Sequence, residues 1–488
     1  MTKSTRVSIL IVILIIATFL RFHHFASTPP GLYPDEAIDG NNAVEVAETG
    51  HFQSFYIEDN GREGLYVNII ALLYKAFPHD EPWLIRLPAA IAGVLTVWGV
   101  YLLTAELFGA STGLLAAFLI ATNFWHINFS RIGFRAILAP LLLVWAFYFF
   151  IRSLREESNK KKAFAYATLA GIIYSLGFYT YIAYRITPLL FLLFIPFFKR
   201  SQNFWKKTAV FIIITFIVAA PIGWYFAQHP ADFFGRTSEI SVTNSGNPVG
   251  TLAMNIFKTA LMFNFRGDEN WRHNVSGAPE LFWPVGILFL AGIFFGIRAI
   301  RKNVREKNMP ALFANSLVFL WFVLALLPEA ASNEGIPHAL RSILAIPPVM
   351  IIAAQGGVRI FEFMKNAGKK YSARIVACLF FVAVAGFAYY DYFIVWAQNP
   401  NVPGAFNADY VAIGRAINAL PVTMPKYVIV SAGGVTIRGI PTPAETTMFI
   451  THSFTASDAA ARNIRYLLPN EIASIPSGTA SSSIFFIK

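Results

Sequence analysis

The chain has few charged residues, a single cysteine and no internal repeat. Only 14% of its 488 residues are Asp, Glu, Lys or Arg, whereas 56% are apolar and 16% are aromatic. A soluble globular protein of this size needs more polar surface, so that class is excluded. Cys378 lies in an apolar run, and a lone cysteine excludes an internal disulfide and a cysteine-based metal site.

Several common binding signatures are also missing. The sequence contains no Gly-x-Gly-x-x-Gly, P-loop, His-Glu-x-x-His or zinc-finger spacing. Its net charge of +12 comes from Lys and Arg in short clusters between apolar runs, rather than from one basic face. Nucleic acid is therefore not an expected partner, and the lipid bilayer is.

Apolar runs dominate the sequence instead. A helix needs roughly 17 to 25 apolar residues to cross a bilayer. Eleven spans are predicted, at about residues 7–26, 84–107, 111–128, 135–151, 163–183, 186–198, 208–226, 281–298, 310–328, 341–360 and 374–397. The sixth is short and contains two prolines, but basic clusters on both sides of it favour two crossings between them.

The basic clusters predict the orientation of these spans. Lys and Arg beside membrane helices stay in the cytoplasm, which places the N-terminus inside and loops 27–83 and 227–280 outside. We thus expect a transmembrane domain over residues 1–398, with these two outside loops, and a small extracytoplasmic α/β domain over 399–488. The fold class is an all-α polytopic membrane protein with about eleven spans and this α/β domain.

An acidic pair, Asp35 and Glu36, follows the first span. A carboxylate at the outer membrane surface can take the proton from an acceptor hydroxyl that attacks a sugar, as a general base. The alternative is structural, with Asp35 as the N-cap of a helix and Glu36 complementing the helix dipole. Local spacing leaves both open, and they are compatible.

Four arginines occupy predicted outer turns, where the orientation rule disfavours cations. Guanidinium groups at one membrane depth can converge on a lipid phosphate and stabilise it as a leaving group. The alternative is that each reaches ordinary headgroups. The arginines are Arg131, Arg135, Arg185 and Arg341, and His338 precedes the last of them.

The second long loop contains a polar and aromatic cluster after an amphipathic stretch. We interpret it as a candidate lid over sugar or carrier, against the alternative of a hydrated turn beside an interfacial helix. Its candidate residues are Asp268, Trp271, Arg272 and His273.

Several of these motifs, in their order, resemble the dolichyl-phosphate-mannose protein mannosyltransferase family and its bacterial relatives, including the aminoarabinose transferases, which share the GT-C membrane fold. The resemblance spans nearly the whole membrane region. It is carried by Tyr33-Pro34-Asp35-Glu36-Ala37, the run from Arg86 to Gly93, Ser130-Arg131 with Phe134-Arg135, Tyr181 with Arg185 and Pro188, and His338-Ala339-Leu340-Arg341 with Pro347.

The resemblance implies inverting transfer of a sugar from a polyprenyl-phosphate donor to a protein, lipid or glycan acceptor at the outer face of the cytoplasmic membrane. Asp35 would be the base, Glu36 its neighbour, and the outer arginines with His338 the carrier-phosphate contacts. Some relatives have a second acid where this chain has Ile137, Leu138 and Ala139. That departure leaves a divalent cation open and predicts no certain cofactor.

Other functions remain as alternatives. A transporter or lipid flippase would place ionisable residues at the bilayer midplane, whereas the predicted spans are almost uncharged. A lipid-linked glycan polymerase would have an outer loop rich in Arg and His rather than an acidic pair. An inactive assembly subunit would keep the fold without turnover.

Overall fold

The computed structural model describes residues 2–77, 81–477, 480 and 483–488. Most of the described chain is α-helical. The helices are α1 (Lys3–Phe22), α2 (Pro34–Thr49), α3 (Leu65–Ala76), α4 (Pro82–Phe108), α5 (Ala110–Thr122), α6 (Phe124–Phe129), α7 (Leu138–Arg155), α8 (Lys160–Leu176), α9 (Pro188–Leu192), α10 (Phe194–Phe198), α11 (Phe204–Gln228), α12 (Pro230–Glu239), α13 (Pro248–Leu261), α14 (Trp283–Glu306), α15 (Met309–Ala330), α16 (Ile346–Asn366), α17 (Lys370–Tyr389), α18 (Asn401–Ala405), α19 (Ala408–Asn418), α20 (Glu445–Thr451) and α21 (Ala456–Ala461).

Short strands complete the secondary structure. They are β1 (Phe55–Tyr56), β2 (Arg62–Glu63), β3 (Lys426–Val430), β4 (Thr436–Ile437), β5 (Ile440–Pro441), β6 (Ile464–Leu467) and β7 (Ile484–Ile487). β1 pairs antiparallel with β2, and β4 with β5.

Eight helical segments among the described residues are long and apolar enough to cross a bilayer. They are Lys3–Phe22, Pro82–Phe108, Arg135–Arg155, Phe204–Gln228, Trp283–Glu306, Met309–Ala330, Ile343–Asn366 and Lys370–Trp396. The other three predicted spans coincide with shorter helices: Ala110–Thr122, Lys160–Leu176 and the broken helix Ile182–Phe198. A polytopic, mainly helical membrane protein is thus confirmed, while the count of eleven spans and their orientation stay predictions.

Residue contacts divide the chain into two compact units. The first comprises Met1–His23, Ala90–Ser130 and Ala136–Trp396, and the second His24–Ala89, Arg131–Arg135 and Ala397–Lys488. The division of the sequence at residue 398 into a membrane and an extracytoplasmic domain stays a prediction.

The first unit contains the long apolar helices. α14 packs against α16, α16 against α5, α7 against α8, and α8 against α11. Glycines allow the closest approach between helices, since a Cβ at Gly292 would lie 1.9 Å from the carbonyl oxygen of Ile352. Apolar packing and small residues at crossings are the usual means by which membrane helices associate.

The second unit contains α2 and α3, which pack on each other, and a small sheet. The sheet has three parallel strands in the order β6–β3–β7, with Tyr427 opposite Arg465 on one side and Ile484 on the other. β3 is buried along its whole length, as expected of a central parallel strand. The sequence predicts a strand over Tyr427–Ser431 and a final apolar stretch over Ser483–Ile487. β3 confirms that strand to within a residue, and β7 lies in the apolar stretch.

Candidate functional site

The acidic pair lies in the first turn of α2. Tyr33 is the N-cap, Pro34 the first helical residue, and Asp35 and Glu36 follow it. Proline suits this position because its fixed φ matches a helix and its missing N–H is not needed there. The alternative that Asp35 is the N-cap is therefore wrong, although both carboxylates still complement the positive end of the helix dipole.

Glu36 is fully buried and both of its oxygens are occupied. Arg86 forms a two-pronged ion pair with it, Nε to Oε1 at 2.8 Å and Nη2 to Oε2 at 3.0 Å. The backbone N–H groups of Gly133 and Tyr33 donate to Oε1 at 2.7 Å and to Oε2 at 3.2 Å. Arg86 also donates to the carbonyls of Pro29 and Gly31. Glu36 and Arg86 thus hold the entry to α2 in place.

Asp35 differs from Glu36 in being accessible. Its side chain is 46% exposed, and Oδ1 lies 3.6 Å from Nη2 of Arg62, whose side chain is only 3% exposed. Arg62 also donates to the backbone carbonyl of Asp35 at 2.7 Å. A buried guanidinium therefore fixes the position of an exposed carboxylate.

Arg62 is itself held by two further carboxylates. Nη1 lies 3.0 Å from Oδ1 of Asp39, and Nη2 lies 2.5 Å from Oδ2 of Asp59. Burial lowers the pKa of Arg62, but the negative charges of Asp39, Asp35 and Asp59 outweigh burial and hold that pKa above its ordinary value. The guanidinium consequently stays charged.

Arg131 and Arg135 have different surroundings. Arg131 is fully buried and donates through Nη2 to the carbonyls of Thr28 at 2.8 Å and His24 at 3.3 Å. Arg135 is partly exposed and pairs through Nε with Glu63 at 3.1 Å. Arg131 therefore donates to backbone carbonyls, whereas the side chain of Arg135 stays partly accessible to solvent.

A second buried carboxylate of this unit, Glu445, begins α20. Asn41 of α2 donates to its Oε2 at 2.7 Å and to its backbone carbonyl at 3.1 Å. Burial raises the pKa of Glu445 to about 7, against the lowering influence of Asn41, Arg438 and Arg62. Hydrogen bonds from Asn41 thereby join α2 to the titratable Glu445 of α20.

In the first unit, Asp268, His273 and His338 form a group that we call the histidine cluster. His273 Nδ1 lies 2.8 Å from Asp268 Oδ2, which also accepts from the N–H of Ala339 at 2.8 Å. His338 Nδ1 lies 4.0 Å from the same oxygen, and the two imidazole rings have centroids 4.8 Å apart. The loop that carries the four predicted lid residues thus contacts the segment that carries His338 through two of them.

Burial and charge shift the protonation equilibria in this cluster. Burial raises the pKa of Asp268, but the hydrogen bond and charge of His273, the charge of His338 and the N–H of Asn270 together outweigh burial and leave that pKa below its ordinary value. Burial lowers the pKa of His338 well below its ordinary value, and the nearby His273 adds to this. Burial raises the pKa of Glu280, whose Oε1 accepts from the N–H of Asp268 at 3.1 Å.

The two other predicted lid residues are held through their backbone carbonyls. The Trp271 carbonyl accepts from the indole N–H of Trp396 at 2.8 Å, and the Arg272 carbonyl accepts from Asn128 at 2.6 Å. Buried hydrogen bonds of this kind anchor the loop firmly. They favour a fixed segment over a hinged lid.

Arg185 and Arg341 also lie in the first unit. Arg185 donates to the Phe233 carbonyl at 2.6 Å, with its guanidinium 4.3 Å from the ring centroid of Phe233 and 4.9 Å from that of Phe226. Arg341 donates through Nη1 to Ser332 and to the carbonyl of Glu334, both at 2.5 Å. Aromatic and backbone partners thus position both cations.

Three residues of these sites were given no functional role from the sequence. Arg62 lies in a predicted hydrated loop, Arg86 at the start of a predicted span, and Glu445 in the tail. Arg62 follows Asp59 by three residues, a spacing at which a local ion pair could be expected. Its hydrogen bond to Asp39 joins residues 23 positions apart. No local signal predicts a pairing across that distance.

Residues 65–225 match the family model for dolichyl-phosphate-mannose-protein mannosyltransferase. The match runs from α3 into α11, which is less than half of the chain. No curated protein sequence matches significantly.

Solved membrane structures match over a longer range. ArnT from Cupriavidus metallidurans, bound to undecaprenyl phosphate, superposes with a TM-score of 0.56 at 13% identity, over 95% of this chain and 90% of that one. AglB from Archaeoglobus fulgidus, in complex with an inhibitory peptide and a dolichol-phosphate, superposes with a TM-score of 0.58 at 14% sequence identity. The alignment covers 96% of this chain and 70% of that one.

The apo form of the A. fulgidus oligosaccharyltransferase gives a TM-score of 0.55 at 16% identity. The alignment covers 92% of this chain but only 64% of that longer one. Likeness at such low identity concerns the fold. The chain is a polytopic membrane protein that is similar in sequence to the mannosyltransferase family model and has the GT-C fold of these glycosyltransferases.

Proposed function

We propose that the protein is a membrane glycosyltransferase that moves a hexose or pentose from a polyprenyl-phosphate donor to an acceptor hydroxyl of a protein, lipid or glycan. The reaction takes place on the non-cytoplasmic face of the cytoplasmic membrane. The GT-C fold supports this proposal, since ArnT was solved with undecaprenyl phosphate and AglB with dolichol-phosphate.

The observation that carries the proposal is the geometry of Asp35. A general base must be ionised, accessible and held within reach of the proton that it removes. Asp35 is about half exposed, and the buried Arg62 contacts both its carboxylate and its carbonyl. This arrangement favours a base with a defined position over a free surface acid.

The reaction inverts the anomeric centre. Asp35 takes the proton of the acceptor hydroxyl, whose oxygen forms a bond to the anomeric carbon as the bond from that carbon to the phosphate oxygen breaks. The electron pair leaves with the polyprenyl phosphate, whose developing charge needs cationic stabilisation. Arg185, Arg341 and Arg135 are the proposed contacts for that phosphate, together with His338, which precedes Arg341 by three residues.

Glu36 and Arg131 have supporting roles in this proposal. The four hydrogen bonds to Glu36 leave it no accessible oxygen, so it positions Asp35 rather than reacting. Arg131 is fully buried on two backbone carbonyls, which favours anchoring of the loop near residue 28 over contact with a carrier.

The test is turnover of a panel of radiolabelled polyprenyl-phosphate hexoses and pentoses by the purified protein in lipid nanodiscs. Loss of a general base reduces rates by roughly 10²- to 10⁴-fold, so Asp35→Asn should lower kcat by that factor on any donor that the wild type uses. Asp409→Asn, an exposed acid in the first turn of α19, is the matched control and should keep full activity.

Two results would refute the proposal. Full activity of Asp35→Asn on a working donor would remove Asp35 as the base. No turnover of any donor by wild-type protein, together with transport of the labelled lipid across the bilayer, would favour the transporter alternative.

A further inference from the structure

The histidine cluster brings three potential metal ligands together from two separate segments. Asp268 and His273 belong to the loop that follows α13, and His338 belongs to the segment that follows α15. One ligand atom from each residue lies within 4.8 Å of the other two. Two imidazoles and a carboxylate are a ligand set that zinc and related divalent ions prefer.

Hydrogen bonding explains only part of this arrangement. The contact of 2.8 Å between His273 and Asp268 is a hydrogen bond. His338 Nδ1 lies 4.0 Å from the same oxygen, which is too far for one, and accepts a long hydrogen bond of 3.4 Å from the backbone N–H of Arg341. Ligand atoms about 2.0 to 2.2 Å from a tetrahedral zinc ion lie roughly 3.3 Å apart. The observed separations lie on either side of that value, so small side-chain shifts would close the site.

The carboxylate of Asp268 is oriented in the way that metal-ligating carboxylates usually are. Backbone N–H groups of Ala339 and Asn270 each donate to it at 2.8 Å. Such outer hydrogen bonds fix a ligand and its direction. They would also keep the Asp268 carboxylate in place when a metal ion replaces the proton between it and His273.

A further carboxylate adjoins the cluster. Glu280 is 2% exposed, and its Oε1 accepts from the N–H of Asp268 at 3.1 Å. Its Oε2 is buried without a hydrogen-bond partner. A buried carboxyl oxygen without a partner is costly, and this observation is independent of the ligand spacing.

We propose that Asp268, His273 and His338 bind a divalent transition-metal ion, zinc in the first instance. Each imidazole contributes a nitrogen lone pair and Asp268 a carboxylate oxygen. A carboxylate only accepts, so the His273 Nδ1 in the present contact carries a proton, and the ion takes its place as that proton moves to Nε2. Three protein ligands leave at least one position open for water or another oxygen ligand.

The ion would join the loop after α13 to the segment after α15, and the inference does not depend on the proposed transfer reaction. A second group of potential ligands, Glu48, His452 and Asp458, is closer to solvent. Its His452 Nε2 already lies 3.1 Å from Glu48 Oε1. This second group supplies the matched control.

The experiment measures metal binding directly. Full-length protein in nanodiscs is stripped with a chelator, dialysed against buffered zinc, and analysed for bound zinc per chain and for affinity. We expect one tightly bound zinc ion in wild type and in His452→Gln. His273→Gln and His338→Gln should each weaken binding by more than the roughly 10- to 100-fold that loss of an outer hydrogen-bond partner costs.

Cobalt uptake by unmodified protein keeps the test independent of variant folding. Cobalt bound to two imidazoles and a carboxylate in a site with few ligands should give visible absorption bands that zinc abolishes. Absence of stoichiometric zinc and cobalt from wild type would overturn the proposal. Zinc affinity that is unchanged in His273→Gln and His338→Gln, or lost only in His452→Gln, would also overturn it.

Discussion

At the scale of single residues, the charged group that contacts Asp35 is the buried guanidinium of Arg62. It contacts Asp39, Asp59 and Asp35, and both it and Asp39 are almost fully buried. Burying an ion is costly unless a partner compensates its charge. Removal of Arg62 therefore leaves Asp39 as an uncompensated buried carboxylate.

We predict that Arg62→Met destabilises the protein by roughly 3 to 5 kcal/mol, the usual cost of breaking a buried pair. Arg415→Met removes an exposed ion pair with Glu81 and should cost at most about 1 kcal/mol. Thermal unfolding of both variants in the same detergent measures the difference. Equal unfolding temperatures would show that Arg62 does not stabilise the fold.

We predict that the free energy of unfolding depends on pH through the carboxyl group of Glu445. Its folded pKa of about 7 lies above the ordinary 4.5 because the carboxyl is buried. The protonated form therefore favours folding, and its contribution is complete below about pH 4.5 and is lost as pH rises to about 7. A shift of this size corresponds to roughly 3 kcal/mol.

Glu445→Gln should remove this loss, because an amide keeps an oxygen for Asn41 and never ionises. We expect the variant to be more stable than wild type at pH 8 and to have a flatter profile between pH 5 and 8. Asp409→Asn serves as the exposed control. Parallel profiles of wild type and Glu445→Gln would contradict the assignment.

At the scale of elements, α2 is a short polar helix whose middle is buried. α3 and α20 pack against it, and a Cβ at Gly40 would lie 2.5 Å from Ile85 and 2.8 Å from Phe449. The helix ends at Gly50, whose φ of 76° is left-handed. α2 thus begins at a fixed residue, with Asp35 in its first turn, and ends at a glycine C-cap.

We predict that Gly50→Ala destabilises the protein by about 1 kcal/mol, since an L-residue is strained at this φ. No atom lies within 4 Å of a Cβ at this position, so the cost comes from the backbone alone. Gly404→Ala, in α18 and equally open, should be neutral or slightly stabilising. Because Gly50 is at the end of α2 that lies away from Asp35, kcat should not change.

At the scale of the whole molecule, the basic clusters of the sequence predict how the chain is oriented across the membrane. These clusters predict that the connection near Lys307 faces the cytoplasm and loop 227–280 faces outward. The wild-type chain has one cysteine, Cys378, which makes labelling straightforward. Both probe positions, Thr243 and Lys307, are exposed.

We predict that, in a Cys378→Ser background, Thr243→Cys reacts with a membrane-impermeant maleimide in intact cells and Lys307→Cys reacts only after permeabilisation. Labelling of the two sites in the reverse order would invert the topology and place Asp35 on the cytoplasmic side. That outcome would contradict transfer on the outer face.

The helices, strands and apolar spans could be predicted from the sequence. The apolar runs, a helix over residues 35–48 and a strand over residues 427–431 follow from composition, proline and glycine positions, and residue alternation, which act over a few neighbours. The predicted N-cap was two residues off, because Tyr33 and not Asp35 precedes the first helical turn. Local rules identify elements more reliably than caps.

The sequence by itself determined that this chain enters a bilayer and that an acidic pair follows the first span, because hydropathy and order along the chain decide both. Only the tertiary structure decided that Asp35 stays exposed while Glu36 is buried on Arg86, and that His338 joins Asp268 and His273. Those pairings link residues 50 to 70 positions apart, and contacts at such separations depend on packing of the folded chain rather than on local preference.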